Sequence, residues 1–213
     1  MPIDKSLFIY GPLYHRLFDP QLAEARQVAV DLIAEGSSVL DIGCGTGLLC
    51  FALKEKKNCH VTGLDLSLRM LGFARKANPF PDVTFIHGDA TDLSAFSDRS
   101  FDYATLLMVV HELPKTDQFR ALKEALRVAG RVIIVDSTAP LPKNAGGIGI
   151  RLVEATFGRV HNPHFKTFLS AAGIGGILGE SGLSVNLEHR AIFWRNCREV
   201  EMISQRTKRD DEI

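Results

Sequence analysis

At 213 residues the chain suits one α/β domain and leaves little room for a second. Hydrophobic residues make up 46% and charged residues 23%, which excludes wholesale disorder. Lys+Arg and Asp+Glu both number 25, so the formal charge is zero, and the basic excess of a protein that lives on phosphate backbones is missing.

The four cysteines, Cys44, Cys50, Cys59 and Cys197, form no CxxC pair. They read as reduced, mostly buried thiols of a cytoplasmic protein. The N-terminal segment lacks the basic start, apolar core and small-residue cleavage site of a signal peptide. The longest apolar stretches, such as 104–110, fall far below the roughly 20 residues that span a bilayer.

In chain order, the first 20 residues carry scattered aromatics: Phe8, Tyr10, Tyr14 and Phe18. Asp19-Pro20 opens a helix predicted through about Ala34, with Pro20 suited to its first turn and Gly36 stopping it. Strands and helices then alternate. Strands are predicted over 38–42, 60–64, 83–87, 101–107 and 131–136. Helices are predicted over 48–57, from a Ser67 cap to about Ala77, and over 118–128, with Phe119, Leu122 and Leu126 on one face. Strands apolar on both faces and separated by helices indicate a parallel sheet covered on both sides. Residues 137–165 are rich in Gly, Pro and Asn, with one helix around 150–157. A helix over 165–180 is weakened by Gly173, Gly175, Gly176 and Gly179. Two strands, 183–193 and 198–203, meet at a tight turn near Asn196 with no helix between them, so they should be antiparallel. The charged tail from Thr207 reads as disordered.

The strongest chemical signal is Val39-Leu40-Asp41-Ile42-Gly43-Cys44-Gly45-Thr46-Gly47: a strand running into three glycines at alternate positions, then a helix. Glycine permits the turn and lets a ligand approach the backbone. The third glycine comes one residue earlier than in the dinucleotide fingerprint, which argues against a nicotinamide-dependent oxidoreductase. An acid just before the glycines, Asp41, suits a ligand with a positive amino group. Asp65 ends the second strand 22 residues past Gly43, where a carboxylate can bind ribose hydroxyls. Asp89 and Ala90 follow the third strand, where a carboxylate and a backbone N–H can meet an adenine. Each feature alone has a structural alternative: a tight turn, a helix-start acid, an ordinary loop. Their recurrence at three successive strand ends points to a ligand.

Residues 36–136 resemble class I S-adenosylmethionine-dependent methyltransferases, most of all the small-molecule branch that includes the ubiquinone and menaquinone C-methyltransferases. The stretches VLDIGCGTG, GLDLS, GDATDL and FDYATLLMVVHEL, followed after a helix by GRVIIVDS, carry the resemblance. It implies a Rossmann-like α/β three-layer sandwich, a mostly parallel seven-stranded sheet ending in an antiparallel hairpin. It implies S-adenosyl-L-methionine as cofactor. Asp41, Gly43, Cys44, Gly45 and Gly47 would then hold the methionine end, Asp65 the ribose, and Asp89 and Ala90 the adenine. Leu66 and Met70 would flank the adenine, and Leu107 and Met108 would lie near the sulfonium. The family's Pro-Gly-Gly turn before strand five is replaced by Val128-Ala129-Gly130. One domain would cover 1–206, with a helical cap over 1–36 and a substrate-side insertion over 137–165, and the tail would be 207–213.

An activated methyl needs positioning, and no metal. A general base helps where the acceptor is a hydroxyl or an activated carbon. His111, just past strand four, is the candidate, with Glu112 beside it reading rather as a solvated or capping acid. Tyr10 and Tyr14 are candidates for a lid. His161 and His164 read as substrate contacts or a surface turn, because Pro163 between them argues against a helix. No Asp/Asn-Pro-Pro-aromatic sequence follows strand four. The apolar run Leu106-Leu107-Met108-Val109 stands there instead, favouring a small, partly hydrophobic acceptor over nucleic acid. Competing readings are a methyltransferase of nucleic acid or protein, for which a basic stripe is missing, and a non-catalytic cofactor-binding subunit, which turnover by the purified protein excludes.

Overall fold

A computed structural model of the chain describes residues 15–16, 19–156, 158–193 and 197–205, with the side chains of 153–162 outside that description. The candidate lid residues Tyr10 and Tyr14, the aromatics Phe8 and Phe18, the turn at Asn196 and the tail 207–213 all lie outside the described residues.

Seven strands form one sheet: β1 (Ser38–Ile42), β2 (His60–Asp65), β3 (Thr84–His87), β4 (Phe101–Leu107), β5 (Ala129–Ser137), β6 (Val185–Phe193) and β7 (Arg198–Gln205). Their order is β3-β2-β1-β4-β5-β7-β6. The first five run parallel, and β7 pairs antiparallel with both β5 and β6. This is the α/β sandwich with a C-terminal antiparallel hairpin that the sequence predicts.

The helices are α1 (Ala23–Leu32), α2 (Leu48–Lys57), α3 (Leu68–Ala77), α4 (Lys115–Val128), α5 (Ala145–Thr156), α6 (Gly158–Ser170) and α7 (Gly173–Ser181). Alternation along the strands divides them into two layers. Val39, Val61, Tyr103, Ile133 and Val135 face one core with Ala25 and Ala29 of α1, Leu53 of α2 and Leu71 of α3. Leu40, Ile42, Ala104, Leu106, Val132 and Ile134 face the other, with Leu122 of α4, Phe168 of α6 and Ile174 of α7. A strand buried on both faces has no polar side to spare, which is why these segments read as apolar runs.

Four departures from the sequence reading have physical causes. Asp19–Leu22 is a single 3-10 turn, and the α-helix proper runs only from Ala23 to Leu32. Helix α4 continues directly into β5 at Ala129, so the expected turn at 128–130 is absent. The helix predicted over 165–180 is two helices, broken where Ala172 and Gly173 both adopt left-handed φ (63° and 68°). A Cβ on Gly173 would stand 3.0 Å from both the Ala139 Cβ and the Glu199 Oε1, so close packing on the sheet places that glycine. Finally, Pro163 lies inside α6, so His161 and His164 are helical after all. A helical proline costs about 3 kcal/mol. The same helix buries Phe165 and Phe168, at about 1.5–3 kcal/mol each, which outweighs it.

Candidate active site

The carboxyl ends of β1, β2 and β3 lie side by side, Ile42 against Leu64 and Asp65 against His87. The three candidate acids therefore stand at or just past the carboxyl ends of adjacent strands, Asp41 within β1, Asp65 ending β2 and Asp89 two residues past β3. Gly43, Gly45 and Gly47 all take left-handed φ (75°, 53° and 82°), a conformation that accounts for glycine at alternate positions. They differ in what surrounds them. A Cβ on Gly43 would stand 2.4 Å from Val109 Cγ2, and one on Gly47 2.8 Å from Phe85 Cζ. At Gly45 the nearest atom is Met70 Cε, 3.8 Å away. The outer two glycines are packed by protein, and the central one borders open space.

That space is a cleft lined by Asp41, Gly43, Cys44, Gly45, Thr46, Leu48, Leu49 and Leu107, together with Asp19, Leu22 and Arg26. Asp41 is buried, its Oδ1 accepting from Thr105 Oγ1 at 2.6 Å and its Oδ2 from Cys50 Sγ at 3.3 Å. Burial pushes its pKa up to about 6 against the bonds from Thr105 and Cys50, and the Asp65 charge adds to the rise. Cys44 and Cys50 are raised as well, Cys50 by burial and Cys44 by burial against its bond with Cys50, so both are neutral thiols.

Asp65 ties the glycine turn to the second strand. Its Oδ2 accepts from Gly45 N–H at 2.8 Å and its Oδ1 from Ser67 N–H at 2.7 Å. Ser67 in turn caps α3 by accepting from Met70 N–H at 3.3 Å. Leu66 is exposed, and Met70 is buried with its methyl toward Gly45. Asp89 is exposed and folds its own turn, accepting from Thr91 N–H and Oγ1, both at 2.8 Å. Ala90 packs against the second core.

At the end of β4, Leu107 lines the cleft and Met108 adopts φ 60°, a left-handed strain for a side chain of that size. Its N–H donates to the Val135 carbonyl at 2.7 Å. His111 follows in a 3-10 turn and is 2% exposed. Its Nδ1 lies 2.7 Å from Asp136 Oδ1, and its N–H donates to Asp136 Oδ2 at 3.2 Å. Asp136 is wholly buried at the end of β5 and also accepts from Ser137 N–H at 2.6 Å. Phe165 and Phe168 of α6 stand edge-on to the imidazole, with centroids 5.5 and 6.1 Å away. Glu112 is exposed. His164 is half-buried, and the side chain of His161 lies outside the described residues.

Sequence reasoning missed Asp136 as the partner of His111. The only available signal was an acid at the end of the strand expected to neighbour strand four. It also missed the contribution of Asp19 and Arg26 to the cleft, since nothing local marks a helix as lying over a glycine turn.

Residues 39–131 match the family model described as a methyltransferase domain. The demethylmenaquinone methyltransferase of Staphylococcus epidermidis is 35% identical over 137 residues, covering 60% of this chain and 56% of that protein. The one from Listeria welshimeri is 33% identical over 147 residues, covering 64% of this chain and 61% of its own length. The chain thus spans somewhat over half the length of the curated relatives it matches. Among solved structures, a protein of Pyrococcus horikoshii superposes with a TM-score of 0.67 at 20% identity, covering 91% of this chain and 98% of that one. An S-adenosylmethionine-dependent methyltransferase of Methanosarcina mazei superposes with a TM-score of 0.59 at 18% identity, covering 84% and 96%. Over residues 39–131 the chain is thus similar to the methyltransferase-domain family, over a somewhat longer stretch it is similar to the demethylmenaquinone methyltransferases, and it shares its fold with the solved methyltransferase.

Proposed function

We propose that this protein transfers the methyl group of S-adenosyl-L-methionine to a small, partly hydrophobic molecule. The observation that carries this reading is the glycine turn. Its central residue, Gly45, opens on the cleft while its neighbours are packed, and Asp65 holds its backbone from the next strand end. In this reading Asp41 takes the amino group, with Gly43, Cys44, Gly45 and Gly47 along the methionine chain. In the same reading Asp65 takes the ribose, Asp89 and Ala90 the adenine, Leu66 and Met70 its faces, and Leu107 and Met108 lie near the sulfonium. When bound there, the cofactor supplies an already activated methyl group, so the protein's task is to hold the acceptor in line with it.

For the acceptor, Leu107, Met108 and Val109 offer an apolar wall, as small-molecule sites usually do. The relatives' names state demethylmenaquinone as what they act on. This chain's acceptor is proposed to share only that partly hydrophobic character. His111 acts as base. Asp136, accepting from Nδ1–H, leaves Nε2 as the basic nitrogen and holds the ring in place. Because Phe165 and Phe168 cover the ring, α6 must admit the acceptor before a proton can move. Among the described residues no helix is long and apolar enough to cross a membrane.

Titration calorimetry with S-adenosylhomocysteine and with NAD tests the cofactor. A screen of small acceptors for S-adenosylhomocysteine release by the purified protein tests the reaction. Preference for NAD, or turnover on RNA instead of small molecules, would overturn the reading.

A further inference from the structure

We propose that the joint between α6 and α7 is a pH-dependent latch, fastened while Glu199 and Glu201 of β7 carry one negative charge between them and loosened when they carry two; its consequence for the acceptor rests on the reading of His111 above. Both glutamates lie on the face of the sheet that α7 covers, and each side chain is only 3% exposed. Among the described residues one cation meets both. Arg190 of β6, half-exposed, donates from Nη2 to Glu199 Oε2 at 3.0 Å, and its Nε stands 3.3 Å from Glu201 Oε1. Helix α7 rests on the pair. Glu199 accepts from the Ile174 N–H in the first turn of α7. A Cβ on Gly173 would stand 3.0 Å from Glu199 Oε1, and one on Gly175 3.8 Å from Glu201 Oε1.

Two carboxylates sharing one guanidinium repel each other when both ionise in a buried layer. The strand register puts a third, Asp136, directly beside Glu199, where its charge adds to the repulsion while its own oxygens hold His111. The charged side chain of α7 itself, Glu180, sits at the far end of the helix with Lys115 of α4. Burial lifts both glutamates above their ordinary value of 4.5. The Arg190 bond holds Glu199 down against this, and the Glu199 charge pushes Glu201 further up. A carboxyl whose pKa is raised in the docked state, and ordinary in the open one, supports docking fully below 4.5. That support is lost as pH rises through the raised value. The helix above is weak on its own. Four of its nine residues are glycine, the poorest helix former after proline, and its buried apolar side chains are Ile174 and Ile177. Loosening α7 releases the end of α6, one left-handed joint away at Ala172 and Gly173, and α6 carries the Phe165 and Phe168 that cover His111.

Hydrogen exchange of the full chain at pH 5, 6 and 7, corrected for the intrinsic pH dependence of exchange, reads the latch at 173–181 and global opening at β4. Protection of 173–181 should fall at least about threefold from pH 5 to pH 7, and by no more than about tenfold per pH unit for one proton released, with β4 unaffected by that local step. Glu201→Gln and Glu199→Gln each leave one carboxylate facing Arg190, so either should keep 173–181 protected at pH 7 and lose most of the slope. Glu180→Gln should keep the wild-type slope. Protection of 173–181 that is flat with pH in wild type overturns the latch. A slope that survives in either of the β7 variants also overturns it, because the titration would then belong to Asp136 and His111. So does protection of β4 that falls in step with 173–181, because unfolding of the whole domain would then carry the effect. The exchange needs neither cofactor nor acceptor, so a failed latch leaves the cofactor reading standing, and a failed cofactor titration leaves the latch.

Discussion

The role proposed for Asp41 makes the cofactor's affinity depend on pH in a calculable way. Its pKa of about 6 in the ligand-free protein places its titration inside the accessible range. The ammonium of S-adenosylhomocysteine stays charged throughout and, in the proposed complex, is bound by the ionised carboxylate. With that pKa, about nine-tenths of Asp41 is ionised at pH 7 and about one-tenth at pH 5. The Kd should therefore rise about tenfold over those two pH units, or about 1.4 kcal/mol. The stability of the unliganded fold moves the other way. A carboxyl whose folded pKa is raised contributes stability that is fully present below its ordinary value of 3.8 and is lost as pH rises through about 6. Its share makes the free protein about 1 kcal/mol more stable at pH 5 than at pH 7. Weaker binding together with a firmer fold separates this effect from acid unfolding. Calorimetry with S-adenosylhomocysteine and urea melts at pH 5, 6, 7 and 8 supply both curves. Asp41→Asn keeps the shape and accepts from Thr105, so it should bind weakly with little slope. A flat wild-type curve, or an equal slope in the variant, would refute the reasoning.

Asp65→Ala should weaken S-adenosylhomocysteine binding by about 1–3 kcal/mol, since the ribose and the Gly45 N–H lose the same acceptor; unchanged affinity in a folded variant removes Asp65 from the site. Gly45→Val should abolish binding while melting within several degrees of wild type, because its Cβ meets only Met70 and the left-handed φ costs about 1–2 kcal/mol. Gly47→Ala should instead lose stability against Phe85 and Phe51, and normal cofactor binding by Gly45→Val would show the turn to be purely structural. Asp136→Asn should lower kcat on any acceptor found by screening by about 100-fold or more, and alter its pH profile, with cofactor affinity within a few fold. An unchanged kcat would leave the buried pair a packing device.

The layers of the fold were legible because each strand must be apolar on both faces and each helix on one, and those periods differ. Ser38–Ile42 and Phe101–Leu107 were bounded to the residue for that reason. The C-terminal hairpin was legible from the missing helix between two apolar runs. Pro163 misled, because local propensity weighs a proline at about 3 kcal/mol and is blind to the two phenylalanines buried by the same helix. Gly173 misled in another way. In isolation it weakens a helix, whereas here it marks the break between two by lying against Ala139 and Glu199, contacts across 34 and 26 residues of chain.

The two halves of the site were unequally legible, and the reason is geometric. The cofactor half is built from backbone: three left-handed glycines and acids at strand ends, each encoded within a few residues of the feature it serves. The proposed acceptor half is built from side chains that meet only after folding. His111 and Asp136 are 25 residues apart and become neighbours because β4 and β5 pair with Leu107 against Val135, which brings the chain just past each strand to the same edge. Phe165 and Phe168 arrive from a helix beyond the end of β5. Such an assembly leaves no spacing to find, so variation in the length or packing of α5 and α6 can change the acceptor without disturbing one residue of the glycine turn. Substitutions at Phe165 and Phe168 should accordingly alter which acceptors turn over and leave S-adenosylhomocysteine affinity alone, whereas substitutions at Asp41 and Asp65 should weaken the cofactor for every acceptor alike.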